Sequence, residues 1–215
     1  MTKGEAVVAF GDDLRRRIVE NLEEFSAAPG AAEGLRRAAV ALVVTRHPVS
    51  GEAALLLTLR PLTLNRHGGQ YALPGGRLDE GETTIEAALR ELHEELGVRL
   101  GEEAVLGHLD DYPTRSGFCM TPVVAWGGAD LVLDPDPGEV ARTFHVPLAE
   151  IDSPSIPELG PVQENGRRVL RAFLPELGHY IAAPTAAILY QFREVALRGQ
   201  PTRVAHYDQP EFAWK

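Results

Sequence analysis

Two apolar runs, Ala38–Val44 and Ala53–Leu59, constrain this chain more than any other feature. Both are rich in Val, Leu and Ala, and Pro48, Ser50 and Gly51 lie between them. They therefore read as consecutive strands joined by a turn. Upstream, Leu14, Ile18, Leu22 and Phe25 recur at helical spacing, with Asp12-Asp13 near the start and Pro29-Gly30 beyond the end, which predicts a helix over 11–27. Residues 61–70 are polar and irregular, Tyr71–Leu73 reads as a short strand, and a helix is expected over about 83–96. Ala104–Leu109, Phe118–Trp126, Leu131–Leu133, Val140–Val146 and Val169–Phe173 follow as short strands. Thr185–Leu197 closes the pattern as a helix carrying Ile188, Leu189, Phe192, Val195 and Ala196, and Asp152–Gly166, rich in Pro, Ser and Glu, reads as a surface loop. Strands and helices are interspersed without strict βαβ alternation. The fold class is α/β, a mixed β-sheet with helices on its faces.

Composition narrows the function. The 215 residues suit one domain. Lys and Arg number 21 against 31 Asp and Glu, a net charge of −10. Such a surface repels phosphate backbones and anionic lipid, which argues against nucleic acid and membrane as partners. A phosphorylated ligand would need local cations to overcome that background. The single cysteine, Cys119, excludes an intrachain disulfide and a Cys-based zinc site. No apolar run reaches the ~20 residues of a membrane span, and the N-terminus lacks the long apolar core of a signal peptide. The expected compartment is cytoplasmic.

The segment Leu73–Glu82, running on to Arg90–Val98, holds the chemistry. Thr83 followed by Glu86 is a capping-box pattern that places a helix start, and Gly97 is a natural stop. At about 100° per residue, Ile85, Leu89, Leu92 and Leu96 fall on one stripe, expected to pack on the core. Glu91, Glu94 and Glu95 fall together on the adjoining face. Like charges at these spacings each cost a helix about 0.2–0.5 kcal/mol. Either that face is simply solvated, or a hard divalent cation such as Mg²⁺ sits among the carboxylates and removes the cost. Glu86 is expected to pair with Arg90 at i, i+4. Gly75-Gly76 lets the backbone approach a ligand closely, Glu82 sits where a helix dipole favours a carboxylate, and Arg90 is placed to hold Glu82 and its loop onto the helix.

These residues resemble the Nudix box: Gly76, five residues, Glu82, seven residues, Arg90-Glu91-Leu92, one residue, Glu94-Glu95, one residue, Gly97-Val98. The resemblance implies a Nudix-type α/β/α sandwich over 35–200, preceded by an N-terminal helical extension (1–34) and followed by a C-terminal tail (201–215). It also implies metal-dependent hydrolysis of a diphosphate linked to another moiety. By position, Glu91, Glu94 and Glu95 would be the metal and base carboxylates, with Mg²⁺ (or Mn²⁺) as cofactor. Glu82 and the Gly76 carbonyl would support or join the metal shell.

A second resemblance overlaps the first. Leu56–Arg60, Arg66-His67-Gly68-Gly69-Gln70, Ala72 and Pro74-Gly75-Gly76 are similar to the upstream signature of coenzyme A pyrophosphatases, with departures at Pro61, Asn65, Tyr71 and Leu73. This implies coenzyme A or an acyl derivative as substrate, cleaved to 3′,5′-ADP and 4′-phosphopantetheine. ADP-ribose or a dinucleotide is the alternative, and a non-catalytic Nudix-like ligand-binding domain is the rival from another class. Arg60, Arg66 and His67 supply cationic or switchable donors in an acidic chain. Those three, with Gln70, Gly75 and Arg115, are the candidate substrate contacts. Each of the charged ones also reads as a solvated surface group, and Gln70 as the closure of a turn. The expected partner is a small-molecule diphosphate, and a homodimer is left open. His93-Glu94-Glu95 begins like a zinc-protease helix, but Gly97 stands where the second histidine would be.

Overall fold

A computed structural model describes residues 7–30, 33–64, 68–163 and 165–210. Strand β1 (Arg36–Arg46) is the axis of the molecule. It runs parallel to β7 (Phe118–Gly128) along its whole length, with Arg36 opposite Phe118 and Val44 opposite Trp126. Its other edge serves two antiparallel partners. Ala38, Ala39 and Val40 pair with Arg77, Gly76 and Gly75 of the short strand β4 (Gly75–Arg77), whereas Val44–Arg46 pair with Leu55, Ala54 and Ala53 of β2 (Ala53–Leu59). Strand β2 thus leaves β1 after a few residues and continues against β8 (Arg142–Pro147) and the short β3 (Tyr71–Ala72). Strands β5 (Val105–His108) and β6 (Tyr112–Pro113) complete the mixed sheet on the far edge of β7.

The period-two alternation of β1 separates two cores. Val40, Leu42 and Val44 point to a large one shared with Leu14, Ile18, Leu22 and Phe25 of α1 (Asp12–Phe25) and with Ile188, Leu189 and Phe192 of α4 (Thr185–Phe192). Ala39, Ala41 and Val43 point the other way, to Ala87, Ala88, Leu92 and Leu96 of α2 (Thr84–Leu96). Helices on both faces of a mixed sheet make the expected α/β/α sandwich. The apolar face of α1 is part of the large core, and Val204 in the C-terminal segment is buried in it too.

Several expectations need correction. Leu131–Leu133 is not a strand but an irregular segment whose Leu131 and Leu133 pack on the α2 core, and the backbone that follows bonds to the end of α2, the Asp134 and Asp136 N–H groups donating to the Leu96 and Glu95 carbonyls. The 152–166 stretch is not all loop. Glu158–Val162 forms strand β9, pairing with β10 (Arg168–Leu174), which pairs in turn with β11 (His179–Ala182) in a separate three-stranded sheet. Pro157 and Pro161 conceal β9 in the sequence, and an edge strand tolerates such prolines. The closing helix changes its winding after Phe192, with Arg193–Leu197 forming a π-turn. Between β8 and β9 lies the one-turn helix α3 (Leu148–Ile151).

Helix α2 begins where the capping pattern placed it. The Thr83 hydroxyl accepts from the Glu86 N–H, and the Glu86 carboxylate accepts from the Thr83 N–H at 2.8 Å. Glu86 is therefore engaged in the cap rather than with Arg90. Gly97 closes the helix at φ 70°, its N–H donating to the His93 carbonyl. Thr83→Ala is expected to lower the unfolding free energy by about 1 kcal/mol, read as a shift of the urea midpoint at unchanged slope.

Candidate active site

The three glutamates of α2 do not share one solvated face. The core-facing stripe is rotated from the expected one: Ala88, Leu92, Glu95 and Leu96 are buried, while Ile85 and Leu89 are only half-buried. Small side chains beneath the helix, Ala39 and Ala41 of β1 together with the glycines of β4, let it settle close to the sheet on that side. The carboxylates are consequently graded. The side chain of Glu94 is 52% exposed, that of Glu91 15% and that of Glu95 2%.

Arg90 organises this cluster. Its Nε and Nη2 donate to the two oxygens of Glu82 at 2.8 and 3.0 Å. Its Nη1 donates to Glu91 Oε1 at 2.8 Å and to Glu94 Oε2 at 3.0 Å, and Nη2 also donates to the Arg77 carbonyl at 2.9 Å. Every guanidinium N–H is thereby used. The fork on Glu82 is the expected clamp of loop to helix, and the Asp79 N–H completes it by donating to Glu82 Oε2 at 2.8 Å. The Arg90 hydrogen bonds hold Glu82 below the usual carboxylate range, and the Glu82 carboxylate in turn pushes the Arg90 guanidinium further above its ordinary value.

Glu91 and Glu95 are shifted the other way. Burial raises Glu91, partly offset by Arg90. Burial raises Glu95 to about 8; the charge of Arg60 opposes this, and the charges of Glu91 and Glu139 add to it. Arg60 Nη1 lies 3.4 Å from Glu95 Oε1, a long contact. Among the described residues, Glu95 Oε2 and Arg60 Nε are buried with no hydrogen-bond partner. An acceptor and a donor left open side by side, in a place water does not reach, fit a site that a cation and an anionic ligand complete.

The glycines of β4 are required by contact. A Cβ at Gly76 would lie 2.2 Å from Glu91 Oε1, and one at Gly75 would lie 2.3 Å from the Ala39 carbonyl. Beyond this strand lies a cavity of about 720 Å³. Arg60, Gln70, Gly75, Gly76 and Arg77 line its near side, Phe118 and Met120 its floor, and residues 179–185 of β11 and the start of α4 its far side. Arg60 connects the two regions, since it lines the cavity and contacts Glu95.

Of the sequence-derived contacts, Arg60, Gln70, Gly75 and Gly76 thus meet at this cavity. Arg66 and His67 lie outside the described residues; the adjoining Gly68 and Gly69 line the cavity. Arg115 is ion-paired with Asp208, its Nε 2.8 Å from Oδ1 and its Nη2 2.8 Å from Oδ2, and its neighbours Thr114 and Ser116 line the cavity instead. Arg77, Phe118 and the His179–Ile181 wall were missed. As for a metal, no three ligating side chains are gathered into a ready set among the described residues. Glu91 and Glu94 are instead both bonded to Arg90. The open Oε2 of Glu95 and the bare backbone of Gly76 against Glu91 nevertheless fit a hard divalent cation, whose preferred ligands are oxygens.

Residues 35–173 match the NUDIX domain family. Nudix hydrolase 3 of Caenorhabditis elegans is 33% identical over 149 residues, which cover 66% of this chain and 62% of that protein. The uncharacterized Nudix hydrolase NudL of Photorhabdus laumondii is 37% identical over 160 residues, covering 74% of this chain and 84% of that protein. This chain spans about three-fifths of the length of the worm protein and of several other NudL relatives, 62% and 59%. A MutT/nudix family protein from Enterococcus faecalis shares the fold, with a TM-score of 0.51 at 16% identity over 89% of this chain and 78% of that one. The chain belongs to the Nudix hydrolase family.

The raised Glu95 generates a stability prediction for the chelator-treated protein. A carboxyl whose folded pKa is about 8, against an ordinary 4.5, binds a proton in the folded state that the unfolded chain releases. Stability from this source is present below about pH 4.5 and is lost as pH rises to about 8, with a slope of at most about 1.4 kcal/mol per pH unit. Urea titrations in EDTA at pH 5 and pH 8 should show wild type losing stability relative to Glu95→Gln across that interval. A constant difference between the two proteins would contradict the burial argument.

Proposed function

We propose that this chain hydrolyses the diphosphate of a nucleoside diphosphate derivative, and that coenzyme A or an acyl-coenzyme A is its preferred substrate, giving 3′,5′-ADP and the matching 4′-phosphopantetheine. The observation that carries the reading is the open, buried Oε2 of Glu95 beside the open Nε of Arg60, at the rim of a cavity lined by Gly75 and Gly76. All the box carboxylates are present, which favours an enzyme over a Nudix-like binding domain without activity. The resemblance of the Leu56–Gln70 segment to coenzyme A pyrophosphatases supports the substrate. Arg60 and Gln70 of that segment line the cavity, and Arg66 and His67 are expected to add substrate contacts.

Glu91, Glu94, Glu95 and the Gly76 carbonyl would hold Mg²⁺ or Mn²⁺. Such a cation, when bound, neutralises phosphate oxygens and lowers the pKa of a water molecule. The chain's own part is to position and to move a proton. The oxygen of water attacks one phosphorus, the bond from that phosphorus to the bridging oxygen breaks, and the second phosphate leaves. A carboxylate oxygen of Glu91, Glu94 or Glu95 takes the proton from the water. Arg60 faces the phosphates from the cavity rim, and Arg90 keeps Glu82 and its loop in place throughout.

A panel of diphosphate compounds with and without Mg²⁺, read by product mass, tests the reading. Release of 3′,5′-ADP from coenzyme A faster than cleavage of ADP-ribose is the expected result. Faster cleavage of ADP-ribose or of a dinucleotide would remove the coenzyme A assignment, and no cleavage of any member would remove the hydrolase. Glu91→Gln and Glu95→Gln should each lower kcat at least ~10²-fold, since their work is done in the transition state. Mg²⁺ should raise the Tm of wild type, and Glu95→Gln should lose most of that rise.

A further inference from the structure

The hydrolytic chemistry leaves two arginines unused. Arg36 and Arg77 are exposed, and both guanidinium groups lie over the ring of Phe118, their Cζ atoms 4.1 and 5.3 Å from its centre. The register explains the convergence. Arg36 is opposite Phe118 across β1 and β7, and Arg77 is opposite Ala38, two residues on from Arg36 along β1, so all three side chains rise from the same face of the sheet. That face is the floor of the cavity, and Arg77 and Phe118 line it. Among the described residues neither arginine has a carboxylate partner. In a chain with ten more acidic than basic residues, two cations held together on one ring without a counter-ion are an exception that calls for a ligand. Their mutual repulsion opposes the arrangement, and the ring's quadrupole offsets part of it.

We infer that Arg36 and Arg77, braced on Phe118, form an anion subsite that takes a phosphomonoester carried by the substrate in addition to its scissile diphosphate. Guanidinium pairs suit phosphate oxygens through charge-assisted, forked hydrogen bonds. The ring itself is not the recognition element for a base, because a guanidinium already covers it at 4.1 Å. Arg77 directly follows Gly76, and because neighbouring strand residues point to opposite faces, the subsite lies across the thin β4 strand from the Glu91 carboxylate that packs on Gly76. The inference rests on the diphosphate-hydrolase reading and narrows it: the preferred substrate is a nucleoside diphosphate derivative bearing a separate phosphate on its nucleoside half.

The test measures binding, so that it does not depend on turnover. Calorimetric Kd values for adenosine 3′,5′-bisphosphate and for AMP, in EDTA, isolate the extra phosphate. Wild type is expected to bind the bisphosphate at least about tenfold more tightly. Arg36→Gln and Arg77→Gln should each reduce that ratio, and the double variant should bring it within about twofold. No preference in wild type, or a preference that survives in the double variant, would overturn the subsite. Thermal melts confirm that each variant is folded, and both arginines are exposed, so folding should be unaffected. Hydrolysis is scored separately on the diphosphate panel. Failure there would remove the hydrolase reading, while the Kd ratio decides the subsite by itself.

Discussion

The site depends on one guanidinium. Without Arg90, the carboxylates of Glu82, Glu91 and Glu94 would converge on one end of α2 with nothing between them but mutual repulsion. With it, Glu82 is gripped through both oxygens, Glu91 and Glu94 share a single nitrogen, and the Arg77 carbonyl takes the remaining donor. The guanidinium's fixed planar fork is what allows one side chain to serve five acceptors at once. It also ties together pieces that are distant along the chain: the residue that ends β4, the loop after it and the middle of the helix. The loop conformation and the spacing of the carboxylates are therefore one structure rather than two.

A second constraint comes from the backbone. Strand β1 offers a single edge to two partners, β4 near its start and β2 near its end. Where β2 departs, the short β4 becomes the partition between α2 and the cavity. Glycines at 75 and 76 keep that partition thin enough for Glu91 to rest on it, and any side chain there would collide. The buried Glu95 reaches the cavity by another route, through its contact with Arg60 at the end of β2. The match to the NUDIX domain ends at residue 173. Strand β11 and helix α4, which build the opposite wall of the cavity, lie beyond it. The carboxylate cluster of α2 and the far wall of the cavity thus come from different parts of the chain.

Much of the local structure was legible in the residues. The Thr83–Glu86 cap, the Gly97 stop and the Glu82–Arg90 pair follow from short-range spacing, and all three are present. The Glu86–Arg90 pair was a wrong expectation, because the backbone N–H of Thr83 competes for the same carboxylate and is closer in the chain. The stripe of α2 was misplaced by about one residue. Periodicity gives the width of an apolar face but not which flank settles deeper, and that was decided by the alanines of β1 and the glycines of β4. The three-stranded sheet was half hidden, because Pro157 just before β9 and Pro161 within it mask that strand, and the polar residues of β11 carry no clear alternation.

What the sequence determined by itself is the chemistry available: a capped helix, its carboxylates at fixed angular spacing, an arginine to bind them, and glycines where backbone must come close. These are short-range matters, governed by helix geometry and contacts within some twenty residues. What only the tertiary structure decided is how different the three glutamates are, and what faces them. Burial against β1 raises Glu95 to about 8 while Glu94 stays in solvent. The pairing of β1 with both β4 and β7 brings Arg36, Arg77 and Phe118 to one spot. Desolvation and strand register depend on residues far apart in sequence, so no local pattern encodes them.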